Sequence, residues 1–169
     1  MDSLDERFRL EGLEEQFISI QDKATLLEKS KLGQGLTWQE LQTLAGYLGS
    51  YAAKKGVYVC RQGERSDFMC IIFQGRVSVV KSDLHHEEKE IASVGPGQTV
   101  GEMAMIDGEA RSASVLVKNP VLMLVLSEEN FDRMGEDVPR LWGKILLQLS
   151  RVLSKRLRQT SGILAECIH

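Results

Sequence analysis

One stretch of the chain, residues 101–115, combines chemical groups that suit a phosphorylated ligand. It begins with Gly-Glu-Met-Ala at 101–104, which predicts a short helical turn whose unpaired backbone N–H groups attract an anion. Nine positions after Glu102, Arg111 adds a planar guanidinium that matches phosphate oxygens. Glu102 is an acceptor, which suits a sugar hydroxyl but not a phosphate. The combination therefore predicts a ligand that carries both a phosphate and a free ribose hydroxyl.

The same residues resemble the phosphate-binding cassette of the cyclic nucleotide-binding domain family. Gly-Glu-Met-Ala-Met-Ile at 101–106 and Gly-Glu-Ala-Arg-Ser-Ala-Ser-Val at 108–115 carry the resemblance. The family includes the regulatory subunits of cAMP-dependent kinase, the cyclic nucleotide-gated channels and the bacterial catabolite activators. Ala110 stands where many eukaryotic members have proline, which loosens the loop without removing a ligand contact.

The resemblance implies a role for each residue of the cassette. Backbone N–H groups would hold the phosphate together with Arg111, and Glu102 would accept a hydrogen bond from the ribose 2′-hydroxyl. Ser112 and Ala113 would line the phosphate and the ring. The backbone groups in question belong to Gly101, Glu102, Met103 and Ala104. The alternative is that Glu102 and Arg111 form a structural ion pair in a relative that has lost its ligand.

The base is predicted from the residue that follows the arginine. In the family, threonine at this position tends to accompany cGMP, whereas the bacterial cAMP receptors carry serine, as this chain does at Ser112. The prediction is therefore cAMP, with cGMP as the alternative. No cofactor is expected beside this ligand.

A second resemblance lies near the C-terminus, where Lys-Arg-Leu-Arg-Gln-Thr-Ser at 155–161 is similar to the dimer helix of the bacterial activators. In that group, a threonine and the following serine reach the adenine, the serine across the dimer. Thr160 and Ser161 are therefore candidate base contacts. Alternatively, they simply end the helix, because Gly162 follows and glycine often terminates helices.

Composition limits the other functions open to the chain. A chain of 169 residues with 43% hydrophobic and 27% charged side chains suits one domain with flanking helices. The net charge of −3 argues against a general nucleic-acid binder, and the three cysteines form no metal or disulfide motif. No signal peptide or transmembrane stretch is evident, so we expect a cytoplasmic protein that does not contact membranes.

Hydrophobic periodicity divides the chain into two regions. Residues 1–36 are predicted to be an N-terminal helical extension, helical to about residue 30 and ending in a glycine-containing turn. Residues 37–169 are predicted to form the cyclic nucleotide-binding domain. Its part from about 50 to 127 alternates short strands with turns, and its C-terminal helices occupy 128–164. The fold class is α+β, mainly β: an eight-stranded antiparallel β-roll, similar to a jelly roll, with flanking helices and a long C-terminal helix.

Local signals predict where several of these elements begin and end. Gln74-Gly75 and Lys118-Asn119-Pro120 are predicted as turns between strands. Thr37 with Glu40 forms a capping box, for a helix that stops near Gly49. Further helix starts are predicted at Ser127, for a helix that ends near residues 134–135, and at Asp137, which would cap a long helix with Pro139 in its first turn.

The long C-terminal helix carries two apolar rows, which suggests two contacts. One row is predicted to cover the roll and the other to join a second copy of the chain in a homodimer. The first row is Leu141, Ile145, Leu149, Val152 and Arg156, and the second is Leu146, Leu153, Leu157, Thr160 and Leu164.

These features favour a cyclic nucleotide receptor module that signals by repositioning its C-terminal helices, through an unknown downstream partner. A transcription regulator of the catabolite activator type would need a DNA-reading domain beyond the long helix, and the sequence ends at His169, so a DNA-binding domain is expected to be absent unless the chain is truncated. A ligand-free scaffold is disfavoured by the intact Glu102 and Arg111. An enzyme is not expected, because the cassette holds no catalytic triad, metal cluster or paired carboxylates.

The adjacent His85 and His86 are predicted to lie on an exposed loop tip.

Overall fold

The computed structural model describes residues 4–83 and 87–167, except for the side chain of Leu10. His85 and His86 lie outside the described residues. The helices are α1 (Leu4–Glu11), α2 (Ile20–Glu28), α3 (Trp38–Ala45), α4 (Glu102–Asp107), α5 (Glu128–Asp137) and α6 (Pro139–Cys167). The strands are β1 (Leu13–Glu15), β2 (Gly49–Ala53), β3 (Tyr58–Cys60), β4 (Phe68–Ser82), β5 (Glu88–Val94), β6 (Thr99–Val100) and β7 (Ser114–Ser127).

The described strands form one antiparallel sheet that curls into a roll without closing. Its hydrogen-bonded order is β1-β2-β7-β4-β5, while β3 joins β7 and β6 joins β4. This confirms the predicted fold class of an antiparallel β-roll with flanking helices. The described residues contain seven strands, whereas eight were predicted. The number differs because β4 and β7 each run continuously through a segment that was predicted to be a turn, while β1 lies in a segment that was predicted to be helical.

Both predicted turns are irregularities within paired strands, so the predictions at Gly75 and at residues 118–120 are wrong. The β4–β7 pairing continues from Phe68↔Ser127 to Val80↔Ser114, with register shifts between Ile72 and Val77. Gly75 has a φ of 78°, and a Cβ there would overlap the carbonyl oxygen of Pro120 on the paired strand. Glycine and proline here accommodate a bulge that bends the ladder, instead of reversing the chain.

Residues 68–72 of β4 and 123–126 of β7 are buried on both faces, which explains the continuous apolar sequence of these two segments. Because successive side chains of a strand point to opposite faces, Cys70 and Ile72 enter the core inside the roll. Met69 and Ile71 enter a second core beneath the helices. The second core also contains the buried row Leu141, Ile145 and Leu149 of α6. The apolar side chains on the outer face of the roll and the buried row of α6 therefore pack together and hold the helix in place.

The N-terminal segment is not one helical stretch to residue 30, so that prediction is wrong. Helix α1 ends before Gly12, and β1 pairs with β2 in the register Leu13↔Ala53. A new helix begins after Ser19, whose side chain accepts a hydrogen bond from Asp22 N at 3.1 Å. The side chain of Phe8 is buried in the core inside the roll. The apolar residues at 8 and 13 thus serve the roll, and this long-range contact overrides the helical period.

The capping predictions at Thr37 and Ser127 are confirmed. Thr37 and Glu40 form the reciprocal capping box of α3, although this helix ends at Ala45, before the predicted stop near Gly49. The Ser127 hydroxyl accepts from Asn130 N at 3.1 Å and begins α5. Helix α5 extends past the predicted end near residue 134 and includes Asp137, so Asp137 is not the cap of the last helix.

Helix α6 has Pro139 in its first turn, as predicted, and continues to Cys167. The alternative in which Gly162 ends this helix is therefore wrong. A glycine inside a helix costs only about 1 kcal/mol relative to alanine, and good helix formers on either side offset this cost. None of the helices within residues 4–83 and 87–167 combines the length and apolar character needed to cross a membrane.

The bulge at Gly75 leads to a stability prediction. Gly75→Ala is expected to lower the free energy of unfolding by more than about 3 kcal/mol, because strain at positive φ adds to overlap with a backbone carbonyl. Gly56→Ala is the matched control, since Gly56 has a φ of 91° but open space around its Cα. It should cost only about 1–2 kcal/mol. Urea unfolding of the three proteins measures both values, and equal costs would contradict the bulge.

Candidate functional site

A cavity of about 190 Å³ opens at one end of the roll, beside the N-terminus of α4. Its lining comes from β3, β4 and β7, from residues 100–104, 107 and 109–113, and from one side chain of α6. The lining residues are Cys60, Val79, Val100, Gly101, Glu102, Met103, Ala104, Asp107, Glu109, Ala110, Arg111, Ser112, Ala113, Val115 and Arg156. The lining combines apolar side chains with charged ones, which suits a ligand with a flat ring and a polar end.

The start of α4 approaches Arg111 closely because residue 101 is a glycine. Gly101 has a φ of 83°, and a Cβ there would overlap Nη1 of Arg111. Its carbonyl oxygen instead accepts a hydrogen bond from that nitrogen at 2.8 Å. Any larger residue at 101 would therefore displace the guanidinium from the cavity wall.

Arg111 is a buried cation without a carboxylate partner among the described residues. Only 6% of the residue is exposed. Nε donates to the Ser66 hydroxyl and Nη2 to the Phe68 carbonyl, and the guanidinium carbon lies 4.9 Å from the centre of the Phe68 ring. With the bond to Gly101, these contacts use three of the five N–H groups of a guanidinium. The remaining donors and the buried charge favour an anion in the cavity.

The backbone of Arg111 is held as firmly as its side chain. Its N–H donates to Glu64 O at 2.8 Å, and its carbonyl accepts from Gly63 N at 2.8 Å. The turn between β3 and β4 therefore fixes both ends of the arginine. A preorganised donor of this kind loses little conformational entropy when it binds an anion.

Glu102 is the second buried charge at the cavity, with 1% of the residue exposed. Its Oε1 forms an ion pair with Nη1 of Arg156 on α6, and Nη2 of Arg156 donates to the Thr99 carbonyl. Its Oε2 is buried and has no hydrogen-bond partner among the described residues. A buried carboxylate oxygen left in this state is a strong acceptor for a ligand hydroxyl.

Arg156 carries the positive charge that offsets Glu102. Burial lowers the pKa of the Arg156 guanidinium below its usual value, yet an arginine remains charged at neutral pH. The side chain is 39% exposed, so water screens part of the interaction. The ion pair joins the middle of α6 to the first residue of α4, and thus links the position of the long helix to the cavity.

Two of the cysteines lie near the cavity, and the structure makes them unreactive. Cys60 lines the cavity, and burial raises the pKa of its thiol, partly countered by the charge of Arg111. Cys70 lies below it, and burial raises its pKa to about 12. Neither thiol is poised as a nucleophile. No group of three His, Cys, Asp or Glu side chains in the described ranges is arranged to hold a metal ion.

The structure brings together seven of the nine residues predicted for the site. Those that line the cavity are Gly101, Glu102, Met103, Ala104, Arg111, Ser112 and Ala113. Thr160 and Ser161 lie on exposed turns of α6 instead, and their hydroxyls donate to Arg156 O at 3.0 Å and Leu157 O at 2.9 Å. Their predicted contacts with a base remain a prediction.

Arg156 is the functional residue that sequence reasoning missed. The sequence places Arg156 at the end of the row Leu141, Ile145, Leu149 and Val152, but no role at the site was predicted for it. A charged residue in the row that faces the roll is the signal that could have found it, since such a position calls for a buried partner. Ser66 was also missed, because no local pattern marks it.

Comparison with known proteins agrees with the geometry of this site. Residues 52–137 match the family described as the cyclic nucleotide-binding domain. This match spans half of the chain and includes the whole cassette, so the chain belongs to this family. The members of the family are regulatory domains that bind cyclic nucleotides.

Individual relatives agree on the fold. A crystal structure of a cyclic nucleotide-binding domain from Methylobacillus flagellatus superposes with a TM-score of 0.82 at 30% identity, covering 91% of this chain and 89% of the other. The cyclic AMP receptor protein of Thermus thermophilus is 26% identical over 79% of this chain and 60% of its own length. A cGMP-dependent protein kinase of Drosophila melanogaster, isozyme 1, is 29% identical over 84% of this chain.

The curated relatives are longer proteins. The chain spans 60% of the Thermus thermophilus receptor and 19% of the Drosophila melanogaster kinase. The similarity therefore concerns the binding domain that they share with this chain, and not the remainder of each protein.

The pairing of Glu102 with Arg156 yields a second prediction. Arg156→Met should lower the free energy of unfolding of the nucleotide-free protein by about 1–3 kcal/mol, because it leaves a buried carboxylate without its cation. The double variant Glu102→Gln/Arg156→Met should recover part of this loss, because the amide carries no charge to compensate. Urea unfolding of the four members of this double-mutant cycle gives the coupling energy. Additive effects would mean that the two side chains do not interact.

Proposed function

We propose that the chain is a cAMP receptor module that binds one cyclic nucleotide in the cavity beside α4. The observation that carries the proposal is the pair of buried charges with complementary chemistry. Arg111 has N–H donors to spare for a phosphate, and Glu102 has a buried Oε2 that lacks a donor among the described residues. A cyclic nucleotide carries both of the groups that these two side chains would bind, a phosphate and a ribose 2′-hydroxyl.

The phosphate would lie between the guanidinium of Arg111 and the backbone N–H groups at the start of α4. Two contributions support this position: the charge of Arg111 and the positive end of the helical turn. The amides belong to Gly101, Glu102, Met103 and Ala104. The Ser112 side chain is exposed at the rim and is free to donate to a phosphate oxygen or to the base.

The ribose would lie against Glu102, with its 2′-hydroxyl donating to Oε2. Arg156 already neutralises the carboxylate through Oε1. The ion pair therefore exists before the ligand binds, and the hydroxyl needs only to satisfy Oε2. The base would extend from the cavity toward α6, where Thr160 lies four residues, or about 6 Å along the axis, beyond Arg156. Thr160 and Ser161 are the candidate base contacts. Their hydroxyls can both donate to and accept from the edge of a base, so the preference for cAMP rests on the serine at position 112.

Signalling would then pass through the position of α6. Arg156 contacts both Glu102 and the Thr99 carbonyl, so a ligand that rearranges these acceptors biases the helix that carries the arginine. The proposal requires binding and conformational change, with no chemical step on the nucleotide.

The first test is binding of the nucleotide to protein that has been stripped of any bound ligand. At a cAMP concentration a hundredfold above the dissociation constant, we expect the free energy of unfolding to rise by about 2.7 kcal/mol. This corresponds to roughly 5–10 °C in Tm for a domain of this size. A parallel scan with cGMP identifies the base. If neither nucleotide raises Tm, the chain is not a cyclic nucleotide receptor.

Variants and analogues then test the individual contacts. Arg111→Lys should weaken cAMP binding by more than about tenfold in calorimetric titration, because an ammonium cannot reproduce the planar fork. Arg65→Lys, an exchange at an exposed arginine outside the cavity, is the control. Because Arg111 also supports the fold, 2′-deoxy-cAMP provides a test on the unaltered protein. It should bind roughly tenfold more weakly, since Oε2 of Glu102 stays unsatisfied.

We also propose that the chain forms a homodimer through α6. The second apolar row of this helix remains uncovered at its C-terminal end, where Leu157 is 68% and Leu164 is 60% exposed. Large apolar side chains left in water along one row favour association with a second copy. The same contact would bring a partner's Ser161 toward the cavity.

Leu157→Glu tests the dimer. The unaltered protein should show a light-scattering mass of twice 18.9 kDa, and the variant should be monomeric because a carboxylate in an apolar interface is costly to bury. Leu147→Glu is the matched control. Leu147 is 51% exposed on the same helix but lies about 80° around the axis from Leu157. Dimers that survive the Leu157→Glu exchange would exclude this row as the interface.

A further inference from the structure

A second concave site lies beside α6, outside the cavity that holds Glu102 and Arg111. This groove has a volume of about 270 Å³ and is formed by three parts of the chain: the turn between α2 and α3, the loop before β6, and α6. Its lining residues are Lys31, Gln34, Gln98, Gln148, Arg151, Val152, Lys155, Arg156 and Gln159. It shares one residue, Arg156, with the first cavity.

The groove is strongly basic in a chain that is acidic overall. Its lining contains four cations and no carboxylate, whereas the net charge of the chain is −3. Within the part of the chain that the structure describes, the side chains of Lys31, Arg151 and Lys155 form no hydrogen bond or ion pair. Cations held together without counter-charges repel one another, and a bound anion relieves this repulsion.

Several hydrogen bonds keep the groove in shape. Gln148 Nε2 donates to Gln34 O at 2.6 Å and ties α6 to the α2–α3 turn. Lys31 N donates to Gly97 O at 2.9 Å and ties that turn to the loop before β6. Gln98 Oε1 accepts from Gly95 N at 2.9 Å, which leaves the amide N–H groups of Gln98 available. The walls are therefore held in place without a ligand, as in a preorganised binding site.

The positions of the cations suit an anion with more than one negative charge. Arg151 and Lys155 are four residues apart on one face of α6, which places them about 6 Å apart along the axis. Lys31 comes from a different part of the chain, the turn between α2 and α3. A pyrophosphate group offers several charged oxygens to cations from two elements, whereas a carboxylate offers two, and glutamine amides can donate to the remaining oxygens.

We infer that this groove is a second ligand site, specific for small molecules that carry a diphosphate group. The site is independent of the cyclic nucleotide proposal, because it is defined by Lys31, Arg151 and Lys155. It also stays open in the proposed dimer. Nine residues separate Lys155 from Leu164, so the two side chains project from α6 about 180° apart.

Pyrophosphate is the probe that tests the groove. Titrated at constant ionic strength, it should bind the full chain more tightly than orthophosphate does. Arg151→Gln and Lys155→Gln should each weaken pyrophosphate binding by about two- to fivefold, and the double variant by about tenfold. Arg158→Gln is the matched control, since Arg158 is exposed on the same helix but does not line the groove. The Arg158→Gln variant should bind pyrophosphate as tightly as the unaltered protein does.

The glutamines report the location of the probe. In NMR spectra, the side-chain amide signals of Gln34, Gln98 and Gln148 should shift during the titration, with and without saturating cAMP. Arg111→Lys should leave these shifts in place, which separates the groove from the cavity. Failure of pyrophosphate to bind, an equal loss in Arg158→Gln, or a loss confined to Arg111→Lys would overturn the proposal. None of these outcomes depends on whether the chain binds cAMP.

Discussion

The site depends on the burial of a single guanidinium that no described carboxylate neutralises. Arg111 is held by Ser66 and Phe68 on one side and by Gly101 on the other. These contacts tie the β3–β4 turn to the start of α4, so the loop that forms the cavity rim is folded around the arginine. Carbonyl dipoles offset part of the cost of burying the charge, but they do not cancel it. An anion that enters the cavity reduces this residual positive potential. Binding of an anion is therefore expected to stabilise the residues around Arg111 as well.

Glu102 is a buried negative charge beside the buried positive charge of Arg111, and its partner lies on α6. A buried carboxylate next to an anion-binding position would repel the ligand if it were not neutralised. Arg156 supplies the neutralising charge from a residue 54 positions away in sequence. The long helix is therefore part of the electrostatic balance of the cavity, although most of its buried surface packs against the outer face of the roll. Any shift of α6 changes the charge around Glu102, and any change at Glu102 acts on α6.

Where the sequence predicted the fold well, the signals were local. The caps at Thr37 and Ser127 were predictable because a helix start is decided by side chains within four residues. The turns predicted at Gly75 and Pro120 failed for the opposite reason. Each has the residue types of a turn, but the two segments lie opposite each other in the β4–β7 ladder, from Gln74↔Leu122 to Arg76↔Asn119. Pairing with a strand that is distant in sequence turns both into a bulge. The N-terminal segment failed in the same way, because Phe8 and Leu13 are positioned by the core of the roll.

In the candidate site, too, the residues that depend on local sequence could be predicted, and those that depend on distant contacts could not. The cassette from 101 to 113 could be predicted because its residues are contiguous, and their chemistry identifies a phosphate and a hydroxyl without knowledge of the fold. Arg156 and Ser66 could not, since their roles arise only when α6 and the β3–β4 turn are brought to the cavity. Arg156 also borders the basic groove, where it faces cations that have no partner among the described residues. One arginine therefore lies between an acidic partner in the cavity and an uncompensated positive groove. The pull of Glu102 and the repulsion from the groove act in the same direction, and both hold Arg156 toward the cavity.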